Sequence, residues 1–134
     1  MLKFVYPAIF EENGDGSFTV KFPDLPGCIT YGENAADALI MAQDAACGRI
    51  LGELEDGKLI PKPSAYKEIV LSDTETLSLM ALDIDAYSAQ YGSKTVKKNT
   101  TIPAWLNAFG EKKNINYSRL LTDALTELYL AEMC

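Results

Sequence analysis

The chain has 134 residues, 48% of them hydrophobic and 23% charged, which suits one or two small globular domains and excludes a disordered, low-complexity chain. It contains no histidine, so Ser-His-Asp and Cys-His nucleophile systems are ruled out together with the commonest general base. The net charge of −7 opposes nucleic-acid binding by the chain as a whole, but it is unevenly placed: residues 1–92 carry six Lys/Arg against fifteen Asp/Glu, and residues 93–134 carry six against four.

Cys28, Cys47 and Cys134 are odd in number, widely spaced and without a CxxC pair, so free thiols are expected in place of a disulfide framework or a structural zinc site. No apolar run reaches the roughly 18–20 residues of a membrane span. The opening MLKFVYPAIFEE lacks the apolar region and cleavage site of a secretory signal, so a cytoplasmic protein without membrane contact is expected.

Leu2 to Phe10 is rich in β-branched and aromatic residues, as a strand should be. Glu11 to Gly16 is a turn, and Ser17 to Phe22 alternates with Phe18, Val20 and Phe22 on one face, so the pair predicts a hairpin. Pro23-Asp24-Leu25-Pro26-Gly27 breaks the chain, Cys28 to Tyr31 predicts a third strand, and Gly32 ends it. Asn34 is placed to cap a helix from Ala35 to about Leu54, with Ala35, Ala38, Leu39, Ala42, Ala46, Ile50 and Leu54 turned inward.

Pro61 and Pro63 predict an extended connector, Lys67 to Leu71 a short extended piece, and Leu77 to Ile84 another strand. Asp85 to Tyr91 predicts a helical turn before a linker, Gly92 to Lys94. On a strand, Asp83 and Asp85 would share one face, and paired carboxylates are the beginning of a Mg²⁺ site. No third acidic residue is placed to complete it, and acidic residues at strand ends are ordinarily solvated. No metal and no cofactor are therefore expected. Gly14-Asp15-Gly16 precedes a strand, not a helix, so it is not a phosphate-binding loop.

The order Tyr6-Pro7, acidic hairpin, Phe22-Pro23-Asp24-Leu25-Pro26-Gly27-Cys28 and Gly32-Glu33 to Ala38 resembles the HicB antitoxins over about half the chain. The resemblance implies an N-terminal β-β-β-α-β domain of partial ribonuclease-H-like fold. It also implies a partner: a small basic HicA-like toxin, a ribonuclease with a catalytic histidine in a double-stranded-RNA-binding-like fold. Such an antitoxin occludes the toxin's active site and is not itself an enzyme. Asp24, Leu25, Pro26, Gly27 and Cys28 are the candidate toxin contacts.

Thr95 to Leu130 is too short to bury a core of its own, since folds below about 40 residues need disulfides, metals or a partner chain. Val96 to Ile102 alternates, with Lys97, Asn99 and Thr101 on one face. That face suits either base reading by a two-stranded ribbon or an edge blunted by lysines. Pro103 opens a helix carrying Trp105, Leu106 and Phe109, which Gly110 should keep short. Asn114 to Asn116 is a turn, and Asn116 caps a second helix, Tyr117 to Leu130, with Leu120, Leu121, Ala124, Leu125 and Leu128 in one stripe.

This strand-helix-turn-helix resembles the ribbon-helix-helix repressors. By that resemblance two chains pair their strands and interlock their helices. Lys97, Asn99 and Thr101 then read a palindromic operator in the major groove, while Asn116, Tyr117 and Ser118 anchor phosphate. The strand carries no arginine, a departure that leaves the operator open. The expected protein is of the α+β class, with a toxin-binding domain at residues 1–92 and a ribbon-helix-helix domain at 93–134. It is expected to act as an antitoxin and autorepressor, as a homodimer or tetramer. The alternative is a HicB-like transcriptional regulator without a toxin partner.

Overall fold

In the computed structural model, which describes residues 2–92 and 94–133, four strands form one antiparallel sheet: β1 (Lys3–Glu12), β2 (Phe18–Lys21), β3 (Ile29–Gly32) and β4 (Glu75–Asp83), in the order β3-β2-β1-β4. The helix α1 (Ala35–Glu55) covers one face, and α2 (Ile84–Tyr91) follows β4 directly. The arm consists of α3 (Ala104–Lys112) and α4 (Tyr117–Met133).

The hairpin forms where expected, with Glu12 opposite Phe18 and Ile9 opposite Lys21. At the turn, Asp15 Oδ1 accepts from the Ser17 hydroxyl and from the Ser17 amide, the latter at 3.0 Å, and these bonds hold its carboxyl below the usual carboxylate value. Because β2 reaches only Ile9 to Glu12, Pro7 has a strand neighbour on one side alone, Leu79 of β4. A proline is tolerated there because its missing N–H falls on the side with no ladder.

β3 ends against α1. A Cβ on Gly32 would lie 2.2 Å from the Ala38 amide nitrogen, so only glycine permits this approach. Asn34 Oδ1 accepts from the Asp37 amide and Asp37 Oδ2 accepts from the Glu33 amide, both at 2.9 Å, a reciprocal cap that fixes the start of α1. Ala38, Ala42, Ala46 and Ile50 are buried against Tyr6, Phe10, Val20, Met80 and Leu82, and their small side chains let the helix lie close on the sheet. Two positions expected inward, Ala35 and Leu39, are exposed instead, because the apolar stripe rotates away from them.

Two further expectations are corrected. Lys67 to Leu71 is not an extended piece from its start: Tyr66–Glu68 makes a single 3₁₀ turn. β4 begins two residues earlier than expected and stops at Asp83, whose side chain accepts from the Ala86 amide at 3.0 Å and starts α2 at Ile84. The helix α3 is short, as expected, at nine residues, and Gly110 lies inside it, buried beneath the ring of Tyr117. A Cβ there would meet the Tyr117 hydroxyl at 2.1 Å.

The arm is tied to the sheet unit by a few contacts. The Tyr129 hydroxyl donates to the Lys58 carbonyl at 2.8 Å and accepts from the Ile60 amide at 3.0 Å. Met133 packs on the main core, and the Lys94 amide donates to Glu55 Oε2 at 3.2 Å. The same connector is held from the sheet side, where the Tyr6 hydroxyl donates to the Pro61 carbonyl. Burial, with Asp24 and Tyr129 nearby, pushes the Tyr6 hydroxyl up to about 12.

Candidate functional site

The residues expected to touch a toxin lie in a tight turn between β2 and β3. The Leu25 amide donates to the Phe22 carbonyl at 3.1 Å and the Cys28 amide to the Leu25 carbonyl at 2.9 Å. This folding turns Leu25 and Cys28 into the core, where they are 2% and 7% exposed. Burial also pushes the Cys28 thiol up, so it is neither a surface contact nor a ready nucleophile. Asp24 accepts from the Ser64 amide at 3.0 Å, and the Pro26 carbonyl accepts from Arg49 Nη1 at 2.8 Å. Pro26 and Gly27 remain open to a partner.

The two aspartates considered for a metal site do not share a strand face. Asp83 caps α2 and lies 3.7 Å from Lys3 Nζ; Asp85 is inside α2 and accepts from the Leu2 amide at 2.8 Å. Among the described residues no group of three His, Cys, Asp or Glu gathers at one point.

In the arm, Lys97, Asn99 and Thr101 are exposed; the strand expected over Val96 to Ile102 is not formed, since this segment pairs with no strand among the described residues. Its expected partner strand has to come from elsewhere. Asn99 lines a cleft with Lys98, Thr100, Ile102, Asn107 and Tyr117. Asn116 caps α4 as expected, its Oδ1 accepting from the Arg119 amide at 3.0 Å. Tyr117 donates from its hydroxyl to the Asn107 carbonyl at 3.2 Å, which fixes the angle between α3 and α4. Asn116, Tyr117 and Ser118 are all exposed at this helix start, where unpaired amides and the helix dipole favour an anion.

The apolar stripes of both arm helices face outward. Trp105 is 71% and Leu128 64% exposed, and Phe109, Leu120, Leu121 and Leu125 are exposed beside them. Sequence reasoning missed Tyr129, whose only local signal is a polar tip on an otherwise apolar helix face. It also missed Gln43, whose amide donates to the Ala81 carbonyl on the outer side of β4 at 3.0 Å. No helix among the described residues is long and apolar enough to cross a membrane.

A four-stranded antiparallel sheet with α1 on one face and a helical arm behind it is an architecture found in solved antitoxins. A chain of a toxin-antitoxin complex from Streptococcus pneumoniae superposes with a TM-score of 0.60 at 26% identity, over 94% of this chain and 99% of that one. The antitoxin HicB of Burkholderia pseudomallei superposes with a TM-score of 0.56 at 23% identity, over 96% and 98%. Among sequence relatives, a 14.9 kDa protein of Haemophilus phage HP1, described as uncharacterized, is 30% identical over 76% of this chain and 75% of its own length. Antitoxin HicB 2 of Photorhabdus laumondii is 41% identical over 63 residues, 47% of this chain and 45% of that protein. This chain therefore spans less than half of that antitoxin's length in the alignment.

The family model described as HicB_like antitoxin of bacterial toxin-antitoxin system matches residues 6–124. The chain belongs to that family.

Proposed function

We propose that this protein is the antitoxin of a HicAB-type pair and the repressor of its own operon. In this reading residues 1–92, a partial ribonuclease-H-like unit, capture a small basic HicA-like toxin and occlude its active site. Residues 93–134 form a ribbon-helix-helix domain with a second chain and bind a palindromic operator through Lys97, Asn99 and Thr101. Asn116, Tyr117 and Ser118 hold the flanking phosphates. The chain acts by binding and needs no catalytic group of its own.

The observation that carries the reading is surface area. The single chain exposes 9454 Å², whereas a compact monomer of its mass exposes about 6,900 Å², an excess of about 2,500 Å². Much of the excess sits on α3 and α4, whose outward leucines and aromatics match what an interlocked second copy buries. The unpaired Val96 to Ile102 segment supplies the second half of the match, because two copies can pair it with itself.

Charge supports the division of labour. The acidic first 92 residues suit a basic protein, and the weakly basic arm suits phosphate. The test is co-expression with the small reading frame beside this gene, scoring growth rescue and co-purification. Rescue with a stable complex is expected. Operator binding with no rescue and no complex would leave a regulator without a toxin partner.

A further inference from the structure

The sheet has two edges, and they are not equally protected. β3 has only four residues, Ile29–Gly32. β4 has nine, and between its terminal Glu75 and Asp83 there is no charge, proline or glycine to discourage pairing. Natural sheets usually blunt an edge of that length.

The direction of the free groups follows from Gln43. Its side-chain amide reaches the Ala81 carbonyl from outside the sheet, so that carbonyl points away from β1. Outward-pointing groups recur every second residue in an antiparallel ladder, which places the N–H and C=O of Leu77 and Leu79 on the same outer side. Pro7, opposite Leu79, agrees with this register, since it has no N–H to exchange there. Leu79 is 51% exposed.

A cleft at the Ala81 end of this edge holds the Lys3–Asp83 pair, and two further open clefts flank the edge. One is lined by Leu39, Phe10, Phe18 and Glu12; the other by Ile40, Tyr87, Tyr91, Asp44 and Asp83. Each thus joins apolar side chains to carboxylates, and neither is lined by a basic residue. We propose that the outer edge of β4, from Leu77 to Ala81, takes an extended, basic strand of the toxin as a fifth strand of the sheet. Backbone bonds supply the pairing, and the two acidic clefts take the partner's apolar and basic side chains.

Charge selects this occupant over a second copy. Glu75 pairs with Lys21 at 3.3 Å and Asp83 with Lys3 at 3.7 Å, so the carboxylates that face a partner here are Glu12 and Asp44 in the clefts. A second copy brings the same excess of acidic over basic residues to these clefts, whereas a basic strand brings the opposite sign. The surface lies on the opposite edge of the sheet from β3 and does not include the Asp24–Cys28 turn.

The inference rests on the antitoxin reading and is tested with the full chain and the purified product of the neighbouring reading frame. Leu79→Pro deletes an outward N–H and leaves the β1–β4 bonds in place. It is expected to weaken the complex roughly ten- to hundredfold, as loss of a strand-pairing bond with a steric block implies, while operator binding is unchanged. In the wild-type chain, hydrogen exchange at the Leu77, Leu79 and Ala81 amides should slow by at least about tenfold in the complex. This second measurement decides the matter if Leu79→Pro fails to fold.

A wild-type complex with unchanged exchange at those three amides overturns the inference and leaves the antitoxin reading standing. So does full binding by Leu79→Pro combined with loss of binding by Pro26→Arg. A loss of self-association in Leu79→Pro with the toxin still bound assigns the edge to a second copy and overturns it equally. No wild-type complex at all overturns both readings.

Discussion

Tyr129→Phe removes one oxygen and two hydrogen bonds, and its cost can be worked from the contacts of that hydroxyl. It donates to the Lys58 carbonyl at 2.8 Å and accepts from the Ile60 amide at 3.0 Å. Lys58 is exposed and its carbonyl can turn to water, but Ile60 is buried and its amide is left without a partner. Two bonds at the usual net worth give a loss of about 1–3 kcal/mol, with most of it on the Ile60 side. At about 2 kcal/mol the Ile60 amide exchanges about thirtyfold faster. The urea midpoint falls by roughly 1 M. Because Tyr129 ties α4 to the sheet unit, amides in the last turn of α4 should accelerate with it. Amides of β1 that open only by global unfolding should accelerate by no more than the fall in global stability. Unchanged exchange at Ile60 with an unchanged midpoint would refute the docking of α4 described above.

Lys97→Ala or Asn99→Ala should weaken operator binding by about 1–3 kcal/mol, read by mobility shift, and should leave toxin capture intact. Gly110→Ala should not show the usual gain of about 1 kcal/mol for a helical glycine, because the new methyl displaces the Tyr117 hydroxyl and its bond to Asn107. In a Tyr117→Ala background the gain should reappear, so denaturation of the four proteins gives a coupling of about 1–2 kcal/mol. Tyr6 predicts an alkaline limb. Its hydroxyl is raised from 10.0 to about 12 on folding, chiefly by burial, so its contribution is complete below pH 10 and is lost as pH rises through about 12. Tyr6→Phe should flatten stability over that interval, and a limb of equal slope in the variant would contradict the assignment.

Local chemistry made most of the sheet unit legible. The Asn34 cap and the inward Ala38, Ala42, Ala46 and Ile50 of α1 act within a few residues and formed as read, whereas the expected Glu11–Gly16 turn is shorter, because Glu11 and Glu12 extend β1 opposite Thr19 and Phe18. Where the reading missed, the deciding contact comes from far along the chain or reverses a local preference. Asp83 and Asp85 looked like strand neighbours, but a cap bond to Ala86 ends the strand between them. Gly110 read only as a cost to α3, but Tyr117, seven residues on, occupies the space that its missing side chain provides. The Pro23–Gly27 turn was legible as a break, whereas the burial of Leu25 depends on how α1 and the connector close over it.

The site was legible to a lesser degree. Lys97, Asn99, Thr101, Asn116, Tyr117 and Ser118 are all exposed, which leaves them open to the contacts proposed for them. The strand that should present the first three has no partner in its own chain. Gln43 and Tyr129 were invisible for another reason: each joins backbone groups 38 or more residues away, and periodicity carries no information about them.

Light scattering on the purified chain tests the shared C-terminal fold most directly. A mass of twice or four times the 14.7 kDa of one chain is expected, with a protein carrying Leu121→Asp and Leu125→Asp falling to the monomer and losing operator binding. A wild-type monomer whose α3 and α4 amides are nonetheless protected from exchange would contradict it.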